Sequence, residues 1–482
     1  MRAMIVLLCA AGCQEPRPEP AKPEMQAAPT VDEEVAADIA RYVKSLASKN
    51  ASVCMDAVDY LPYFGRAAVP ALVEALKSED ANQRGWGAAA LGRIPDARSV
   101  PGLIGLLEDK SPLKLFVLSD DGEERFQAYP DDTYTVAQQA QSALVATTGK
   151  RLQKKADWDK WWGENGSAFN PGELEPYLEA MAVPAHAKWL KGVKICLDPG
   201  HGGDMHKKGY KRGPTYASEA EMNLRVARFL RDFLERAGAT VVMTRYSDRD
   251  IDLKPRAELA GAMKCDFFLS VHHNWSSGLK ATATTTWYHL SQDVKPASVD
   301  LARYIQEETI RQMAPGEGPK AGGLMSDGLM YNTGFGVLRA LGPEVPGCLV
   351  ETTYYSNLAM ERKLRDIEFN RREAYGMFIG IAKYLYYGVP RAEIVKSGAE
   401  GLVLQVYDGL EERREWAKPY RVLSEFIRVR VDGAVVAHEY KADKGQIEVK
   451  GPIAAGDHEA LVDLINIHKN HSWPKRLKFA VK

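Results

Sequence analysis

A few polar positions in the second half of this chain stand where an open α/β sheet keeps its chemistry. His201 lies in Ile195-Cys-Leu-Asp-Pro-Gly-His-Gly-Gly203, an apolar run stopped by Pro199-Gly200. The glycines around it admit close approach of backbone and ligand, and a histidine at the carboxyl end of a strand sits at the usual ligand-binding edge. Glu219 and Glu221 open a helical pattern, His272 and His273 end the run Phe267–Val271, and Glu351 ends the run Cys348–Val350. Two imidazoles and a carboxylate, with one further carboxylate nearby, suit a hydrolytic zinc site. Such a site needs three protein ligands, an open position for water and a general base.

Local rules separate the paired candidates. Ser218-Glu-Ala-Glu221 is an S-x-x-E pattern at a helix start, so Ser218 caps, Glu221 reaches back to it, and Glu219 is left free. His272 follows Ser270 by two positions and shares its face of the strand, while His273 points to the other side.

The elements that must position these residues follow from hydrophobic period. From residue 193 strands and helices alternate: strands at Val193–Leu197, Thr240–Thr244, Phe267–Val271, Thr284–His289 and Cys348–Thr352, and helices at Glu219–Ala237, Lys254–Met263, Ala297–Met313 and Glu361–Tyr386. This order predicts a mostly parallel sheet covered on both faces. Past Gly388 the period becomes two, with Ile427, Val429 and Val431 ahead of an Asp432-Gly433 turn and strands at Gln446–Val449, His458–Leu464 and Leu477–Val481. That pattern predicts a small immunoglobulin-like β-sandwich. Before the sheet, Ala68-Val-Pro-Ala-Leu-Val-Glu-Ala-Leu76 recurs as Ser99-Val-Pro-Gly-Leu-Ile-Gly-Leu-Leu107, with Pro70 and Pro101 31 residues apart. Leu61 before Gly65 matches Leu91 before Pro95, and Ala137–Leu144 is a third copy of that helix. A period near 30 marks a helical solenoid resembling HEAT-like repeats. Trp158, Trp161 and Trp162 read as an aromatic cap on its last repeat.

The 482 residues carry a net charge of −1 and no basic tract, which argues against nucleic-acid binding. No apolar run reaches the length of a membrane span. The first residues, MRAMIVLLCAAGC, place Arg2 before an apolar stretch and Ala10-Ala11-Gly12 before Cys13. They resemble a bacterial lipoprotein signal, which implies an exported protein with a lipid anchor on Cys13. Gln14 after that cysteine resembles outer-membrane sorting, and residues 13–31 form a Pro/Glu-rich tether. Cys54, Cys196, Cys265 and Cys348 are scattered and read as buried thiols, a bridge among them remaining open.

At these residues the chain resembles the zinc-dependent N-acetylmuramoyl-L-alanine amidases that cleave bacterial peptidoglycan. The resemblance covers about residues 193–388. It rests on LDPGHGG (197–203), Glu219 with Asn223 and Leu224, Thr244-Arg245 with Asp248, Leu253 with Arg256, Ser270/His272/Asn274, Val337–Arg339, and Leu349–Glu351 with Ser356 and Asn357. It implies a three-layer α/β domain of about six strands, zinc held by His201, Glu219 and His272, and Glu351 as catalytic glutamate. Asn274, Arg339 and Arg245 are weaker candidates for substrate or second-layer contacts. Two departures stand out: residues 205–216 are unusually basic, and His273 and Trp275 flank Asn274 where small residues are common. The interval from Asn274 to Glu351 leaves no room for an active-site plug, although Gly316–Gly336 is glycine-rich enough for a mobile flap.

The expected organisation is a signal at 1–12, a tether at 13–31, HEAT-like repeats at 32–165 and a linker at 166–192. The amidase domain follows at 193–388 and the sandwich at 389–482. The expected partners are peptidoglycan, a membrane through Cys13 and a protein partner through the repeats, and the expected place is the periplasmic side of the outer membrane. Two other readings compete: a non-catalytic peptidoglycan tether, and a scaffold whose solenoid and sandwich bind partners.

Overall fold

Prolines in the first turns of two helices set the build of the N-terminal domain. The computed structural model describes residues 31–114, 117–118, 124–125, 134–172, 181–203, 211–215, 217–246, 249–290, 295–313, 318–413 and 422–482. The signal, Cys13 and the tether up to residue 30, Asp248 and most of 205–216 lie outside the described residues. Helices α1 (Val31–Ser45), α2 (Ala51–Tyr60), α3 (Val69–Ala75), α4 (Ala81–Leu91), α5 (Val100–Gly105), α6 (Val136–Thr148) and α7 (Lys155–Asn165) form the repeat domain. Pro70 and Pro101 sit at the starts of α3 and α5, where a missing N–H costs nothing. Thr135 and Gln138 make a reciprocal capping box on α6, which ends at Gly149 with φ 69°. Two short strands, β1 (Val117–Leu118) and β2 (Glu124–Arg125), pair between α5 and α6. Trp158 is fully buried and its indole N–H donates to the Leu152 carbonyl at 3.0 Å, so the tryptophans close the end of the repeat core.

The central domain contains β3 (Lys194–Pro199), β4 (Thr240–Met243), β5 (Phe267–Asn274), β6 (Ala283–Tyr288), β7 (Lys320–Ser326) and β8 (Gly347–Tyr354) in the order β4-β3-β5-β8-β6-β7. β4, β3, β5 and β8 are parallel, while β6 runs antiparallel to β8 and carries β7 parallel to itself. Alternation divides the strands between two layers. Ile195, Leu197, Phe267, Leu269, Val271, Cys348 and Val350 enter one core with α8 (Glu219–Arg236), α10 (Ala297–Met313) and α13 (Ile367–Tyr386). Cys196, Phe268 and Leu349 enter the other, with α9 (Leu253–Ala262) and α11 (Gly336–Arg339).

Two expectations are corrected here. The stretch Gly316–Gly336 is no flap over its described part: it forms edge strand β7, a 3-10 turn at Asp327–Leu329 and the start of α11. The buried Asp327 carboxylate ties that turn by accepting from the Leu290 and Phe335 amides, each at 2.8 Å. The long terminal helix is two, α12 (Leu358–Leu364) and α13, because Asp366 caps the second by accepting from the Glu368 amide. In the described parts of the linker, Ala187 and Leu190 of a short 3-10 helix at Ala185–Leu190 are fully buried, and the Tyr375 hydroxyl donates to the Ala182 carbonyl.

The C-terminal domain is a sandwich of two antiparallel sheets. One comprises β9 (Arg391–Gly398), β10 (Gly401–Tyr407), β13 (Glu439–Lys441) and β14 (Gln446–Lys450). The other comprises β11 (Arg428–Val431), β12 (Ala434–Val435), β15 (Gly456–Asp463) and β16 (Leu477–Val481). Asp432 and Gly433 both have positive φ, as the hairpin turn between β11 and β12 requires. Asn466 and Asn470, fully buried, donate to the carbonyls of Tyr387 and Gly388 and bolt the sandwich to the end of α13.

Candidate metal centre

The carboxyl end of β3 is built around a turn that only glycine permits. A Cβ on Gly200 would stand 2.1 Å from the His272 imidazole, so glycine is what lets that ring approach. His201 follows with φ 59°, a left-handed conformation costing a non-glycine residue about 1–2 kcal/mol. Arg256 pins it there, donating to the His201 carbonyl at 2.7 Å.

The turn, the first residue of α8 and the end of β5 converge. Glu219 Oε1 lies 3.1 Å from His201 Nε2 and 3.1 Å from His272 Nδ1. One donor atom from each of the three falls within 4.8 Å of the others, a spacing that a single cation can bridge. Glu219 is 1% exposed. Burial alone would raise its carboxyl, but the imidazoles of His201 and His272 outweigh that and hold it well below the ordinary range. Burial pushes the His272 imidazole below its usual value against the pull of Glu219, favouring the neutral form that ligates metals. Two histidines, both half-buried, and a buried carboxylate are a three-ligand set that fits the donor chemistry of catalytic zinc sites.

Glu351 is in register with His272 on the neighbouring strand. The residue is half-buried, yet its Oε2 is sealed from solvent and has no hydrogen-bond partner among the described residues. Burial, then the charge of Glu219, raise its carboxyl well above the ordinary value, with Lys211 opposing. Lys211 itself brings Nζ to 3.9 Å from Glu219 Oε2.

The other expected residues have different places. His273 points away from the cluster: it is 1% exposed, with Nδ1 2.7 Å from Asn223 Oδ1 and Nε2 3.2 Å from Glu373. Arg245 is buried and donates to the carbonyls of Pro199, Gly200 and Ala220, tying the β3 turn to the start of α8. Asn274 accepts from the Trp275 amide, and Arg339 donates to Thr333 and Gly334. The capping expectation for Glu221 is corrected. Ser218 makes no side-chain cap bond, and Glu221 instead pairs with Arg41 of the repeat domain at 2.9 Å.

Local reasoning gave no role to a polar layer directly beneath the cluster. Asp198, 1% exposed, accepts from Arg256 at 2.9 Å, Thr244 at 2.6 Å and Ser270 at 2.7 Å. Burial would raise this carboxyl, but those three donors outweigh it and the net direction is down. The signal was available: an aspartate inside an apolar strand requires buried partners.

Residues 195–383 match the N-acetylmuramoyl-L-alanine amidase family. Residues 39–114 match the HEAT-repeat family. Among curated relatives, the chain is 27% identical over 262 residues to N-acetylmuramoyl-L-alanine amidase AmiC of Escherichia coli O6:H1, covering 46% of this chain and 61% of that one. It is 32% identical over 179 residues to the probable cell wall amidase LytH of Staphylococcus aureus, covering 37% and 53%. The chain thus spans less than two thirds of the length of either relative. Among solved structures, the amidase of Clostridium difficile 630 is 28% identical with a TM-score of 0.36, covering 40% of this chain and 96% of that one. The catalytic domain of CwlV from Paenibacillus polymyxa is 27% identical with a TM-score of 0.35, covering 40% and 98%.

Proposed function

We propose that this chain is an exported, zinc-dependent peptidoglycan amidase. It hydrolyses the amide between the lactyl group of N-acetylmuramic acid and L-alanine of the stem peptide. One observation carries the reading: His201, Glu219 and His272 converge within 4.8 Å beside the unpartnered Oε2 of Glu351, in a segment similar to amidases of that name.

His201, Glu219 and His272 would hold the zinc. When bound, the metal would polarise the scissile carbonyl and acidify water at the open position. Glu351 takes the proton from the attacking water at Oε2 as the oxygen bonds to the carbonyl carbon. It returns that proton to the alanine nitrogen as the C–N bond breaks, leaving a lactyl carboxyl and a free amine. A carboxyl raised from its ordinary value suits both halves of this transfer. Asp198 and Arg256 keep the His201 turn in place, and Lys211 supplies positive charge at the rim. Cys13, within a lipobox-like sequence, would carry a lipid that holds the enzyme at the outer membrane facing the wall. The repeat face turned away from the central domain remains available to a protein partner.

The test is digestion of purified sacculi by the zinc-loaded mature chain, read by mass spectrometry. Free stem peptides beginning at L-alanine are expected. Shortened stems would mean another peptidase, and unchanged sacculi a binder or scaffold; either result refutes the proposal.

A further inference from the structure

The repeat domain touches the central domain along the helix that begins with Glu219. Helix α1 lies antiparallel on α8, with charge matched along its length. Glu34 pairs with Arg231 at 2.6 Å, Asp38 pairs with Arg228, and Arg41 pairs with Glu221 at 2.9 Å. Glu34 and Asp38 are 5% and 6% exposed, so these are interior contacts rather than solvated surface pairs. Between them Tyr63 packs edge-on to Phe229 at 5.3 Å, and the Arg225 guanidinium lies 5.5 Å from the Tyr60 ring.

A second anchor reaches the segment that precedes Glu219. Asp56 on α2 pairs with Arg365 at 2.8 Å, and Arg365 donates onward to the Thr215 carbonyl at 2.9 Å. Glu361 accepts from the Thr215 and Ala217 amides at 2.7 and 2.9 Å. The Glu219 amide donates to the Lys211 carbonyl at 3.1 Å. The start of α8 has no side-chain cap, and an uncapped first turn leaves orphan N–H groups and a tendency to fray. Inside the central domain Arg245 holds the Ala220 carbonyl and the His273 amide donates to Glu219 Oε1. The repeat domain adds two holds from outside the sheet: Arg41 on Glu221 two residues after Glu219, and the chain from Asp56 through Arg365 before it.

We propose that the repeat domain is a positioning element of the metal centre, acting through Arg41 and Asp56 on the backbone either side of Glu219. This rests on the functional reading above. A site of this kind tolerates displacement of only about half an ångström, so loosening α8 weakens metal binding while leaving all three ligands present.

The experiment uses the full mature chain and three variants. Arg41→Met removes the contact near Glu219, Arg41→Lys keeps its charge, and Glu34→Gln weakens the same helix pair at its far end. Zinc affinity is measured by competition with a chelator, well below the melting points, and kcat and KM are measured on sacculi fragments. Arg41→Met is expected to weaken zinc binding by about tenfold, the scale of outer-layer changes at metal sites, and to lower kcat with little change in KM. Arg41→Lys should recover most of that loss. Glu34→Gln should lower the melting temperature while leaving zinc affinity at the wild-type level. Equal zinc affinity in Arg41→Met and Glu34→Gln overturns the proposal. A wild-type chain that takes up no zinc overturns the functional reading itself, which separates the two failures.

Discussion

Replacing Arg256 by methionine isolates the polar layer beneath the metal centre. Asp198 and Arg256 are 1% and 3% exposed, and Arg256 also donates to the carbonyls of Ile251, Pro199 and His201. Removing one partner of a buried pair costs about 3–5 kcal/mol, because the other charge stays desolvated. For a domain of this size, that corresponds to a fall of roughly 6–20 °C in melting temperature. The pH dependence is specific. In the wild type the folded Asp198 carboxyl titrates below its unfolded value of about 3.9. Its stabilising contribution is therefore complete above that pH and is lost as pH falls through the folded value. In Arg256→Met only the hydroxyls of Thr244 and Ser270 oppose burial, so the carboxyl moves above the unfolded value. The penalty is then largest at neutral pH and fades on acidification. Melting curves of both proteins from pH 7 to pH 4 should converge. Adding Asp198→Asn to Arg256→Met should recover about half of the loss at neutral pH, since replacing both members of a buried pair costs far less than removing one. A loss below about 1 kcal/mol, the worth of an exposed pair, or one that does not change with pH, would refute this account.

Glu351→Gln should keep its zinc and lose about 10²–10⁴ in kcat; loss of zinc instead would make Glu351 a ligand. His201→Ala and His272→Ala should lose zinc on metal analysis, whereas His273→Ala should retain it. The His273 variant should instead be destabilised by about 1–3 kcal/mol in urea titration, because it takes the buried partner from Asn223 Oδ1 and Glu373 Oε1; its zinc content decides between the two histidines. In cells, the wild-type protein should fractionate with membranes and need detergent for release, and Cys13→Ser should not. A soluble wild-type protein with an unmodified N-terminus beyond Cys13 would remove the anchor.

What was legible in the sequence was whatever depends on near neighbours. Period-two alternation placed His272 with Ser270 and turned His273 to the opposite face, and the structure keeps both assignments because a one-residue slip would move Phe267 and Leu269 out of one core and Phe268 out of the other. Helix Ala297–Met313 and strand Leu477–Val481 match their expected bounds. Strand β7 was unread because Lys-Ala-Gly-Gly carries neither alternation nor β-branched residues, and its pairing with β6 at the sheet edge decides it instead. β9 and β10 were missed within a region correctly read as having period two. The loop Asn466–Ser472, which grips α13, has no local signature at all.

Glu221 shows most clearly where such reasoning stops. The S-x-x-E pattern is a sound rule for an exposed helix start, since nothing else competes for the glutamate. Here the helix start is covered, and a guanidinium 180 residues earlier in the chain offers a charge-assisted bond stronger than the backbone amide it replaces. Burial would raise the Glu221 carboxyl, yet Arg41 and Arg225 bring it down to about 2, so the carboxylate stays charged at neutral and mildly acidic pH. The complementary stripes, Glu34, Asp38 and Arg41 against Arg231, Arg228 and Glu221, are each ordinary charged helix faces when read alone. Only the antiparallel packing of α1 on α8 converts them into one interface. A local rule thus excluded Glu221 from the cluster for the wrong reason, and the actual reason connects the repeat domain to the glutamate two residues away.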